Sequence, residues 1–186
     1  MISDEIRQKL QNIIRGIILE KQKDPCATIR NLLCRSFEAG PTVKSKFESR
    51  AIIKEKQAQF LKEYAIAQDI WMEAIPEGCV YLAKGGEATV FLAADNRNVI
   101  KVNDAIYYAT WLEYLNSILI HTLLFPETAY LLLGFTQTDR GLSIVLVQPF
   151  VKGEQAALDG MKIYCFITGS KTLNDRITVI RNSICC

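Results

Sequence analysis

The sequence predicts an α+β chain: a helical amino-terminal part to about residue 69, then a twisted, five-stranded antiparallel sheet with one helix packed across it. Three observations predict this. Apolar residues recur at helical spacing through the first part of the chain. After Gln68 the texture changes to short apolar or β-branched runs separated by turn residues. One long apolar helical stretch then interrupts those runs. The pattern divides the chain into a helical region at 1–69, a sheet-containing lobe at 70–153 and a tail of different texture at 154–186.

The elements follow in order. Residues 3–22 carry Ile6, Leu10, Ile13, Ile14, Ile17 and Ile18 on one face after a Ser3 cap, an amphipathic helix. Asp24 and Pro25 supply a cap and a first-turn proline for a second helix bearing Ile29, Leu32, Leu33 and Phe37, which Gly40-Pro41 stops. From Lys44 to Glu63 six basic and three acidic residues surround Ile53, Phe60 and Leu61 with no glycine or proline, which predicts a long exposed helix. Interspersed signs favour a solvated face there over a nucleic-acid surface. Strands are predicted at 70–74, 80–83, 89–93 and 99–102, separated by Pro76-Glu77-Gly78, Gly85-Gly86 and 95–98. Asp104 caps a helix through about His121, and strands at 130–135 and 142–148 flank the turn 138–141.

Composition narrows the function. With 22 basic and 20 acidic residues the net charge is +2, so no global electrostatic case exists for nucleic acid or an anionic membrane. No apolar run approaches a membrane span, because Ser143, Gln148 and Pro149 break the longest, and the start lacks a secretory signal. A cytoplasmic location is expected. Six cysteines form no C-x-x-C pair and His121 is the single histidine, so no metal site is expected. Cys26, Cys34 and Cys79 read as structural thiols, and Cys185-Cys186 as exposed ones.

The chemistry-bearing residues lie in the lobe. Strand, glycine turn, strand, short turn, strand with a lysine, then a helix with a glutamate is an order that resembles a protein-kinase small lobe. Aligning Val90 with the last position of G-x-G-x-x-G-x-V puts Ala83, Gly85 and Ala88 at the glycine positions, with Gly86 extra. Such a turn covers nucleotide phosphates with backbone amides; Gly85-Gly86 also reads as a plain hairpin turn. Asn98-Val99-Ile100-Lys101-Val102 resembles the V-A-I-K strand whose ammonium reaches the phosphates; a lysine that guards a strand edge is the other reading. Glu113 is the one charged residue from Ala105 to Pro126, and a carboxylate on a covered helix calls for a cation, which Lys101 offers. Alternatively it faces solvent. His121 reads as a cap or packed ring rather than a ligand. Residues 142–153 resemble the fifth strand running into the hinge where adenine bonds to backbone, with Gln148 and Phe150 at that place.

The wording of four stretches carries the resemblance further: Gly-Gly-Glu-Ala-Thr-Val-Phe (85–91), Val-Ile-Lys-Val (99–102), Leu-Phe-Pro-Glu-Thr-Ala-Tyr-Leu-Leu-Leu-Gly-Phe (124–135) and Val-Leu-Val-Gln-Pro-Phe (145–150). Together with 61–71, they resemble the kinase-like domain of polyvalent proteins from phages and conjugative elements. The resemblance, over about 61–153, implies a small lobe, an ATP-like ligand and a mobile-element setting.

Phosphotransfer also needs acids that orient the hydroxyl and hold magnesium. The stretch after Val151 has Asp159 and Asp175 without H-R-D or D-F-G context. The expectation is an incomplete kinase-like domain, a small lobe without the catalytic lobe, inactive alone, with no catalytic or metal residues and no bound magnesium. Its nucleotide contacts would be weak, through Gly85, Gly86, Lys101, Glu113, Gln148 and Phe150. The tail from about Met161 reads either as a frame change or truncation, or as a divergent ending with a strand at 176–180. The contrasting function is an interaction module that binds a protein through helices 3–22 and 44–66, with the kinase-like residues as remnants.

Overall fold

The computed structural model of the chain describes residues 3–19, 24–37 and 50–151. The first helix, α1 (Asp4–Ile14), starts as expected, with Ser3 Oγ accepting from Ile6 N–H. It stops eight residues before the expected end because Gly16 adopts φ +73°. Gly16 N–H then bonds Ile13 O and Ile17 N–H bonds Asn12 O, the paired contacts of a left-handed helix stop. The apolar period runs past this glycine, which is why periodicity overestimates the helix. Ile13 is buried, whereas Ile14 is 74% exposed.

Two further helices precede the sheet, α2 (Pro25–Phe37) and α3 (Arg50–Ala67). Asp24 accepts from Cys26 N–H and caps α2 as predicted. Cys26, Ala27, Ile29, Leu33 and Cys34 are buried on one of its faces. The helix α3 is less exposed than its charge run suggests, since Gln57, Leu61 and Ala65 are buried. Residues 20–22 and 44–49 of the expected helices, and the strand expected at 176–180, lie outside the described residues.

The sheet has five strands, β1 (Val80–Lys84), β2 (Ala88–Leu92), β3 (Asn98–Asn103), β4 (Leu131–Thr138) and β5 (Gly141–Pro149), in the order β1-β2-β3-β5-β4. Every neighbouring pair is antiparallel. The run 70–74 is not a strand: it makes a single parallel bridge, Trp71 to Phe135. Phe135 N–H donates to Ile70 O and Met72 N–H donates to Phe135 O, which fastens this segment to β4. Gly134 makes the approach feasible, because a Cβ there would lie 2.2 Å from Ile70 O.

The helix crossing the sheet, α4 (Trp111–Leu124), begins six residues later than predicted. Asp104 does not cap it. Ala105 takes φ +53°, outside helical geometry. Residues 104–110 instead form a fastened loop. Lys54 Nζ donates to Ala105 O at 2.6 Å and to Tyr108 O at 3.0 Å, and Asp104 pairs with Arg140 Nε at 3.0 Å. Thr110 is the actual cap, its Oγ1 accepting from Glu113 N–H. Beneath this cap, Gln57 Oε1 accepts from Leu112 N–H.

The core is continuous across the expected boundary at residue 69. Trp111, Leu115 and Leu119 of α4, Ile29 and Leu33 of α2, Leu61 of α3, and Phe135, Ile144 and Leu146 of the sheet form one buried cluster. Between α2 and α4, the fully buried Arg30 donates to Ile13 O, Ile17 O and Asn116 Oδ1. Its charge sits at the carbonyl end of α1, where the helix dipole is negative.

Candidate functional site

Antiparallel pairing puts directly opposed residues on one face. Val90, Lys101 and Leu146 oppose one another in turn, and Val99 opposes Gln148. With Ala88, Asn103 and Ile144 at the alternate positions, these side chains form the face toward α4. Lys101 and Gln148 therefore share a surface.

Lys101 does not meet Glu113. Its Nζ lies 3.4 Å from Tyr130 Oη and 5.4 Å from the centroid of the Tyr130 ring. Glu113 is exposed in the first turn of α4, where its carboxylate accepts from Ala109 N–H at 3.1 Å. The pairing expected from the isolation of this carboxylate is thus corrected: a lone acid in the first turn caps the helix against its positive end. The helix reaches the lysine with its last turn instead. Tyr130 N–H donates to Thr122 Oγ1, and the Tyr130 and His121 rings lie 4.8 Å apart.

His121 is packed, as its sequence position suggested, between Phe125 and Tyr130, with Nε2 3.0 Å from Thr128 O. Burial holds its pKa below the ordinary histidine value. The hydrogen bond to Thr128 opposes that shift and the nearby Lys101 charge adds to it. Gln148 is buried and its Nε2 donates to Thr128 O at 2.8 Å, so its amide braces the end of α4. Phe150 N–H donates to Arg97 O at 2.7 Å, which ties the stretch expected to meet adenine to the turn between β2 and β3.

At the other end of the face, Gly85 N–H closes the β1–β2 turn onto Ala88 O. Neither glycine of this turn uses a left-handed φ. Gly86 is small for a different reason: a Cβ there would lie 2.3 Å from Tyr107 Oη. Arg140 Nη1 also donates to Gly86 O, linking this turn to that of β4–β5. Among the described residues the N–H groups of Gly86 and Glu87 have no acceptor. A cleft of about 250 Å³ lined by Thr89, Phe91 and Val102 opens on the opposite face and holds none of these residues.

Tyr130 and Arg30 escape sequence reasoning. The segment 124–135 signals Tyr130 only as part of a family-like string, and an arginine amid apolar helix residues carries no local sign of burial.

A five-stranded antiparallel sheet with a lysine on β3 facing one crossing helix defines a kinase-like small lobe. A family model described as Serine/Threonine/Tyrosine Kinase found in polyvalent proteins matches residues 54–183, and the chain belongs to that family. The match begins inside α3 and continues some thirty residues past the limit near 153 read from the sequence, so the tail shares the likeness. No curated protein and no solved structure matches the chain. Among the described residues no helix is long and apolar enough to cross a membrane.

Proposed function

We propose that this chain supplies a nucleotide-phosphate-contacting lobe of a mobile-element polyvalent system and does not transfer a phosphoryl group on its own. The observation that carries the reading is the placement of Lys101 on the α4-facing side of β3, opposite Val90 of the strand that leaves the glycine turn. The lysine charge and the N–H groups of Gly86 and Glu87 are the donors a polyphosphate would use. ATP is held weakly. Phosphotransfer requires metal-holding and hydroxyl-orienting groups outside the described residues.

The test is calorimetric titration of the full chain with ATP, beside Lys101→Ala. Saturable binding weakened at least about tenfold by the substitution, roughly 1.4 kcal/mol, is expected. Absence of saturable binding, or binding indifferent to Lys101, sinks the reading.

A further inference from the structure

We propose that Tyr107 is a ligand-contacting residue of the glycine turn, its hydroxyl a third donor beside the Gly86 and Glu87 N–H groups for a terminal phosphate. This rests on the phosphate-contacting reading above and adds to that site a residue from outside the turn.

The observations begin in the loop 104–110. Ala105 is fully buried at φ +53°, a conformation unfavourable to any residue with a Cβ. Its surroundings hold it there: Asn103 Oδ1 accepts from Ala105 N–H at 2.7 Å, and Lys54 Nζ donates to the Ala105 and Tyr108 carbonyls. Backbone strain fixed in this way collects at functional segments. The tip of the loop nonetheless carries an open side chain, since Tyr107 is 70% exposed and its hydroxyl has no hydrogen-bond partner among the described residues.

That hydroxyl lies against the glycine turn. A Cβ on Gly86 would stand 2.3 Å from Tyr107 Oη, which places the oxygen within about 4 Å of Gly86 Cα. One guanidinium ties the two segments together: Arg140 Nε pairs with Asp104 of the loop at 3.0 Å, and Nη1 donates to Gly86 O at 3.4 Å. Loop and turn are therefore positioned by the same side chain.

The chemistry favours a neutral donor here. A terminal phosphate brings three acceptor oxygens, more than two amides satisfy singly. The turn also carries a carboxylate, Glu87, close to the Tyr108 hydroxyl, and its charge opposes an anion. Arg140 counters that repulsion only in part, because Asp104 shares its charge. A phenol, neutral near pH 7, donates to a phosphate oxygen without entering this balance.

The probe is inorganic tripolyphosphate, titrated into the full chain and into Tyr107→Phe, Tyr107→Ala and Lys101→Ala, with the Gly86 and Glu87 amide resonances followed by NMR. In the unaltered chain both amides are expected to shift and saturate together. Tyr107→Phe removes one exposed oxygen and keeps the ring, and is expected to weaken binding about fivefold while both amides still shift at saturation. A tyrosine that only packs on the turn would not distinguish the hydroxyl from the ring.

Binding as tight in Tyr107→Phe as in the unaltered chain, with both amides still shifting, overturns this inference and leaves the phosphate reading standing. Tighter binding by Tyr107→Ala overturns it too, because the ring would then cover the turn rather than serve it. No saturable shift at either amide in the unaltered chain, or binding indifferent to Lys101→Ala, defeats the phosphate reading instead.

Discussion

The two ends of α4 do different work. At its start, side chains serve the backbone: Thr110 and Gln57 take up the N–H groups of Glu113 and Leu112, and Glu113 takes that of Ala109. Lys54 and Arg140 fasten the loop leading in. At its other end, side chains serve one another and the sheet, with Thr122 and His121 holding Tyr130 against Lys101. The charged residue of the helix therefore marks where the helix begins. Neutral residues mark where it meets the lysine. A carboxylate is useful where four orphan N–H groups and a positive dipole end await it. It would be costly deeper in a helix covered by the sheet on one side and by α1 and α2 on the other.

The largest way to break this contrast is to unseat the helix as a whole. Arg30 joins the middle of α4, at Asn116, to the carbonyl end of α1, and is fully buried. Arg30→Met keeps the volume but strands two backbone carbonyls and the Asn116 amide oxygen. A loss on the order of 3 kcal/mol is expected in urea unfolding of the full chain. Both ends of α4 should loosen together, visible as faster amide exchange at Leu115 and at Thr122. Exchange that rises at one end only would show that the ends are independently anchored.

How much of this was legible in the sequence depends on whether the signal is local. The strands of the lobe can be read because short β-branched runs and turn residues are local signals, whereas the register that puts Lys101 opposite Leu146 and Val99 opposite Gln148 is set by pairing across the sheet and has no local signal. The stop of α1 was not read, because the apolar period continues past Gly16 and only its φ of +73° ends the helix. Nor was the start of α4 read. Asp104 has the composition of a cap, yet the pull of Arg140 and Lys54, distant in sequence, holds 104–110 as a loop. The candidate site divided the same way. Lys101 stood in a recognisable strand, whereas its contact with Tyr130 links residues 29 apart. Glu113 misleads because a rare charge in an apolar helix has the same local pattern whether it is buried or, as here, exposed in the first turn.

A smaller effect sharpens the contrast. Thr110→Ala should cost about 1 kcal/mol, the ordinary worth of a helix cap, and Glu113→Ala a few tenths to about 1. Neither should move the NMR resonance of the Lys101 ε-methylene. In a double-mutant cycle, Glu113→Ala with Lys101→Ala should be additive within about 0.5 kcal/mol, since among the described residues the two side chains share no partner. A coupling of about 1 kcal/mol or more would restore the lysine–glutamate pairing and erase the difference between the two ends.

The smallest expected effect belongs to the last turn and is read by pH. Burial holds the His121 pKa below the ordinary value of 6.5, so the unfolded chain takes up the proton first as pH falls. Stability from this group is complete above about 6.5, the histidine value in the unfolded chain. It declines as pH falls through the window below that value, and the loss is complete once pH passes the lower folded value. The ring is only half-buried, so solvent screens much of the effect and the slope should be shallow. His121→Gln, which cannot titrate, should flatten that part of the stability profile in urea unfolding between roughly pH 8 and 5. Glu113→Gln should leave it in place. An unchanged slope in His121→Gln would mean that the proton is taken up elsewhere and that this end of α4 tolerates a second cation beside Lys101.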